Sequence, residues 1–209
     1  MKNKNNLLLL SILILFAMVG FRMLYSGTVS YIFLLWNTFL ACVPFALSEI
    51  MTKHKLSKYK NFGIASLCIL FLPNALYLIS DFEHLHPRSG VPFFFDILLM
   101  FYAALIGLLL NVLALNDLKL VFLRYFKPKT TSVFISLIIL LSGFGVYLGR
   151  YLRWNSWDLL TRPKPLLIEC IYHTIHPNLF TYTWSVSIGY AFVLGFGYLF
   201  FTKLSQHEK

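Results

Sequence analysis

At 209 residues with 58% hydrophobic, 18% aromatic and 12% charged side chains, the chain carries about half of the ~25% charged residues of an ordinary soluble domain. A mean hydropathy of +0.72 excludes a water-soluble globule, 21 Phe exclude a disordered chain, and 11 Gly with 3 Cys exclude collagen-like and disulfide-stapled scaffolds. The net charge of +10 would suggest nucleic acid for a soluble protein; in a membrane protein it reflects basic cytoplasmic loops, and no nucleic-acid partner is expected.

A bilayer core takes about 20 mostly apolar residues per helix. Reading along the chain, such runs fall near 7–25, 29–51, 62–80, 93–115, 132–149 and 182–202. The prediction is all-α: a polytopic membrane helix bundle with six transmembrane helices, forming one integral-membrane domain over residues 1–209, with the lipid bilayer as its partner. The first run follows Lys2 and Lys4 and lacks a small-x-small cleavage pattern, so it reads as an uncleaved helix whose Arg22 snorkels to the interface. Cys42 and Cys68 sit in apolar runs as small core residues, and with Cys170 they form no CxxC motif.

With the N-terminus in the cytoplasm, twelve Lys and Arg fall inside and six outside, which predicts both termini cytoplasmic. Residues 81–92 and 150–181 are then outer loops. Asn37, Asn74 and Asp96 lie in the outer halves of their spans, about 5–12 Å deep at 1.5 Å per residue, and Arg150 closes the fifth span at the same face. Polar groups at that depth need a partner or a cavity. They predict a shared hydrated vestibule; the alternatives are interhelical hydrogen bonds for the two asparagines and an ion pair of Asp96 with Arg88 or Arg150. Pro73 kinks the third span. Gly145 and Gly149, and Ser185 and Gly189, have the small-xxx-small spacing of close helix packing.

Three polar strings carry the candidate chemistry. In Asp81-Phe82-Glu83-His84-Leu85-His86, one more helical turn puts Asp81 and His84 on one face, able to orient a base or a metal. In the last outer loop, Pro165 opens a short interfacial helix with Leu167, Ile171 and Ile175 along one face, and Glu169, His173 and His176 along the other. Two His and one Glu suit a divalent zinc or iron ion with an open position; the same residues also read as proton-handling groups or as solvated histidines. In Gly149-Arg150-Tyr151-Leu152-Arg153-Trp154-Asn155-Ser156-Trp157-Asp158, Arg150 and Arg153 share a helical face suited to an anionic headgroup, with Trp154 and Asn155 beside them. Ser156 and Asp158 read as a turn or cap, and Ser156 lacks a nucleophile elbow.

The third string, with Leu72-Pro73-Asn74-Ala75-Leu76-Tyr77, Asp81, His84 and Leu35-Trp36-Asn37, resembles a bacterial membrane family, the domain of unknown function 1361. The likeness runs from about Trp36 to Asp158. It implies a multi-pass protein of the bacterial cytoplasmic membrane and no particular activity. The leading expectation is an enzyme acting outside on a lipid-linked or envelope substrate: Asp81, His84 and Asp158 are catalytic candidates, and Asn37, Asn74, Asp96, Arg150, Arg153, Trp154 and Asn155 are substrate-binding ones. The other readings are a small-solute transporter and a non-catalytic assembly or sensing protein.

Overall fold

The computed structural model describes residues 2–87 and 90–207, and its described residues are helical apart from turns and connecting segments. In chain order the helices are α1 (Lys2–Ser26), α2 (Phe33–Lys53), α3 (Lys58–Ser80), α4 (Phe93–Phe122), α5 (Pro128–Arg150), α6 (Asp158–Thr161), α7 (Pro163–Ile175) and α8 (Thr181–His207), with a 3₁₀ turn at Asp81–His84 prolonging α3. Among the described residues, six helices are long and apolar enough to cross a membrane: α1–α5 and α8. They match the six hydropathy runs, and the chain is a multi-pass membrane protein.

Local sequence sets the boundaries. The Ser57 side chain accepts from the Lys60 N–H at 3.5 Å at the start of α3. Pro128 and Pro163 open α5 and α7, where a missing N–H costs nothing. At the end of α2, Arg124 donates to the Met51 carbonyl at 3.1 Å, placing a cation on the negative pole of the helix. One end of the bundle gathers the turns rich in lysine, residues 53–60 and 119–129. The other collects the C-termini of α1, α3 and α5, and we call it the arginine end.

Helices α3 and α4 form the middle of the bundle. On one side they pack with α1 and α2, burying Leu15, Leu34, Leu78 and Leu99; on the other they pack with α5 and α8, burying Leu72, Leu115, Ile138 and Leu194. Helix α4, with 30 residues, is about 45 Å long, longer than a ~30 Å hydrocarbon core. The outer flanks of α1 and α8 are apolar and exposed, as at Leu7, Phe192 and Phe196.

Small residues let α5 touch two neighbours. A Cβ on Gly145 would stand 2.4 Å from Pro73 Cγ, and one on Gly149 would strike the Tyr77 hydroxyl, so the expected pair seats α5 on α3. The expected pair on α8 fails: a Cβ on Gly189 meets nothing within 4 Å and Ser185 is exposed. Contact with α5 is made by the neighbouring face of α8, where a Cβ on Gly143 would lie 2.1 Å from the Ser187 carbonyl.

Candidate functional site

At the arginine end, three helices converge on one carboxylate. Asp81 opens the 3₁₀ turn after α3 and is 1% exposed. It accepts from Asn37 Nδ2 of α2 at 2.7 Å and from Arg150 Nη2, the last residue of α5. The same guanidinium donates to Ser80 Oγ from Nε at 2.9 Å and Nη2 at 2.7 Å, and Nη1 lies 3.0 Å from His84 Nε2. A guanidinium only donates, so Nε2 is the acceptor and the imidazole proton sits on Nδ1. Asn37, Asp81, Arg150 and His84 thus form one unbroken hydrogen-bonded chain. It starts on a buried carboxylate and ends on an exposed ring.

The Phe33 ring of α2 packs edge-on against that imidazole, 5.3 Å between centroids, and the neighbours of His84 and Arg150 in sequence are joined as well. The Tyr151 hydroxyl donates to Glu83 Oε1. Burial first, then the Glu83 carboxylate and Tyr182, push the Tyr151 phenol up, so it stays a donor. Sequence reasoning missed Ser80 and Tyr151. Their signal was proximity to two residues it did select: Ser80 precedes Asp81, and Tyr151 follows Arg150.

The single vestibule expected from depth divides into separate groups. Asp96 does not meet Arg150, and Arg88 lies outside the described residues. Arg22 Nε and Nη2 instead grip Asp96 at 2.8 and 3.0 Å, with side-chain exposures of 1% and 0%. Arg22 therefore does not snorkel. Its guanidinium lies 4.7 Å from the centre of the Tyr31 ring, and Ser26 and Thr28 accept from Nη1. Asn74 also points elsewhere, donating to the Phe71 carbonyl at 3.0 Å and to Ser156 Oγ at 3.1 Å. Ser156 Oγ in turn reaches the Leu70 carbonyl at 3.1 Å, tying the loop after α5 to the stretch of α3 that Pro73 interrupts.

Arg153 does not share a helical face with Arg150. Helix α5 ends at Arg150, Arg153 has a left-handed φ of 59°, and the Trp154 N–H closes the turn on the Leu148 carbonyl at 3.0 Å. Asp158 stands apart from the Asp81 chain as a cap. It accepts from the Asn155 N–H at 2.8 Å, from Thr161 Oγ1 and from Arg162 at 3.1 Å. The Asn155 N–H first, then Arg162 and Thr161, hold its carboxyl below the usual carboxylate range.

The Glu169, His173 and His176 row is also rearranged. Glu169 Oε1 lies 3.5 Å from His173 Nε2, but α7 ends at Ile175 and His176 folds back, its Nδ1 3.2 Å from the Tyr172 carbonyl. His173 faces the bundle, 4% exposed, with Nδ1 2.9 Å from Thr183 Oγ1 and its ring against Phe180 and Tyr147. His173 packs inward together with Leu166, while the Glu169 side chain is 39% exposed and Leu167, Ile171 and Ile175 are exposed. Among the described residues, no three His, Cys, Asp or Glu side chains gather as a metal site. On the same helix, burial first and then Glu169 push the Cys170 thiol up, away from the reactive thiolate.

Between α3, α5 and α7 runs a cleft of about 480 Å³. Its walls are largely aliphatic, with Leu140, Leu148 and Leu167 among them, and Trp154, Asn155 and Ser156 lie in the same lining. Tyr77 joins this cleft to the carboxylate chain: its side chain lines the cleft and its carbonyl accepts from Arg150 Nη2 at 3.4 Å.

No curated protein and no solved structure gives a significant match to the sequence. The family model described as protein of unknown function (DUF1361) matches residues 36–196, a range that takes in Asn37, Asp81, His84 and Arg150 and most of the chain. The resemblance seen in the motifs is therefore membership: the chain belongs to the DUF1361 family.

Proposed function

We propose that the chain is an enzyme of the bacterial cytoplasmic membrane, with both termini in the cytoplasm, whose outward-facing site at the arginine end acts on a lipid-linked or envelope substrate. The observation that carries this reading is the chain Asn37–Asp81–Arg150–His84, drawn from three helices and ending on an exposed imidazole. His84 is the group that meets substrate. With Nε2 accepting from Arg150, its Nδ1–H can donate a hydrogen bond to a substrate oxygen and stabilise the negative charge that develops there. Arg150 is a positioning residue. Asp81 and Asn37 fix it, and buried Asp81 balances its charge at the edge of the membrane.

Packing favours this reading over transport. Asn111, the polar residue at mid-depth of α4, donates to the Leu72 carbonyl at 3.2 Å, and Leu72, Leu76, Leu110 and Ala114 around it are fully buried. A solute path would have to open that packed layer.

The test compares lipid extracts, by mass spectrometry, from a strain without the protein and from the same strain carrying wild type, His84→Gln or Ser185→Ala. A lipid-linked species is expected to accumulate without the protein, to persist with His84→Gln, and to clear with wild type and Ser185→Ala. Clearance by His84→Gln, or an unchanged extract in the strain without the protein, overturns the proposal.

A further inference from the structure

The cleft between α3, α5 and α7 lies beside the proposed site, and the carboxylate chain does not use it. Its volume of about 480 Å³ lies within the ~300–1,000 Å³ of small-molecule sites. From Leu140 to Leu148 its α5 wall runs about 12 Å along the helix. Leu140 and Leu141 on that wall are exposed and belong to a membrane-spanning helix, so the cleft opens sideways at bilayer depth. A hydrocarbon chain can enter without crossing water.

Shape alone selects nothing there, because lipid tails are as apolar as leucine. Selection has to come from the polar end, which is positive. Trp154, in the lining, lies under the guanidinium of Arg162, 4.9 Å from the ring centre. Arg153, Arg162 and Lys164 are all exposed in this short stretch, against one aspartate, Asp158. Trp184, also in the lining, has its indole N–H turned to the His173 carbonyl at 3.2 Å, which ties the α7 wall to α8. The charge complements an anionic headgroup, and Tyr77 links the cleft to Arg150, whose guanidinium reaches His84.

We infer that this cleft binds a hydrocarbon chain of an anionic lipid, the substrate class of the neighbouring site, with the headgroup held at the Arg153–Lys164 rim. The inference rests on the enzyme reading above for the word substrate, and on the cleft alone for lipid binding.

The test uses purified full-length protein in phosphatidylcholine nanodiscs containing a small fraction of a phosphatidylglycerol probe with a diazirine in one acyl chain, or a phosphatidylcholine probe with the same chains. Crosslinked peptides are mapped after illumination. Expected is labelling of 140–148 and 166–174 several-fold above the exposed face of α8 at Phe192 and Phe196, and several-fold stronger from the phosphatidylglycerol probe. Leu141→Trp, which fills the cleft from an exposed position, should remove most of that labelling, and Arg162→Gln with Lys164→Gln should remove the headgroup preference. His84→Gln should keep the labelling while failing to clear the accumulated lipid. Even labelling of all lipid-facing helices, equal labelling by the two probes, or indifference to Leu141→Trp overturns the inference. If Leu141→Trp loses the label yet clears the lipid, the bound lipid is not the substrate, and the inference fails while the enzyme reading stands.

Discussion

Two buried carboxylates, each facing an arginine, behave differently because of what lies beyond the pair. Asp96 and Arg22 form a bidentate pair with side-chain exposures of 0% and 1%, and the remaining Arg22 Nη1 ends on the Ser26 and Thr28 hydroxyls. Asp81 and Arg150 instead pass a hydrogen bond on to exposed His84. Removing one member of a buried pair costs about 3–5 kcal/mol, because the other charge is left uncompensated, whereas replacing both with apolar residues can be near neutral. We therefore expect Arg22→Met or Asp96→Leu alone to lower the thermal midpoint strongly in detergent, and the double variant to recover most of the loss. Single variants that each cost under about 1 kcal/mol, as exposed pairs do, would show that Asp96 is not held by Arg22. Asp158 gives a pH prediction. Its folded pKa lies below the ordinary value, so its contribution to stability is complete above that ordinary value, about 4, and is lost as pH falls through the folded one. The gap in melting temperature between wild type and Asp158→Asn should shrink on acidification below about 4; a gap constant with pH contradicts the cap.

Packing of whole helices is the next level, and it makes its own prediction. On α5, a methyl group on Gly143 would press on the Ser187 backbone, whereas on α8 one on Gly189 meets open space. Gly143→Ala should cost about 1–3 kcal/mol, the usual range for overpacking. Gly189→Ala should be neutral or stabilising by up to about 1 kcal/mol, since alanine is the better helix former. Denaturation in detergent reads both, and the reverse order would refute the α5–α8 contact. Much of this level was legible in the sequence. Spans are readable because a helix must be about 20 apolar residues long to cross a bilayer, and Gly145 with Gly149 carried its spacing. Which helices touch was not legible, since hydropathy holds no neighbour relations. Arg22 therefore read as an interfacial cation, although it lies four residues before the end of α1 and Asp96 three residues into α4, matching depths that allow pairing. The α7 row misled for a related reason. Its apolar side read as lying on the membrane and its polar side as one open row, but His173 turns inward against Thr183, Tyr147 and Phe180. Asn37, Asp81, His84 and Arg150 were each candidates in the sequence; that they share one hydrogen-bonded chain needed the α2–α3–α5 contacts.

For the molecule as a whole, six spans bring Lys2 and His207 to one end of the bundle and residues 150–181 to the other. With Cys42, Cys68 and Cys170 replaced, Lys164→Cys should react with a membrane-impermeant maleimide on intact cells, and Lys55→Cys only after permeabilisation. The opposite pattern inverts the topology and moves the proposed site to the cytoplasmic face. The apolar flanks of α1 and α8 and the aliphatic cleft beside α5 use the bilayer as solvent, which explains how a chain so poor in charge keeps its ionisable groups in a few defined places.

Whether the Asp81–Arg150 chain is a working site or only a tie between α3 and α5 is decided most directly by the double substitution Asp81→Asn with Arg150→Gln, measured against each single change for thermal midpoint and for clearance of the accumulated lipid. The site reading predicts that the double variant regains most of the stability lost by either single change and still fails to clear the lipid. A double variant that regains both stability and clearance contradicts it.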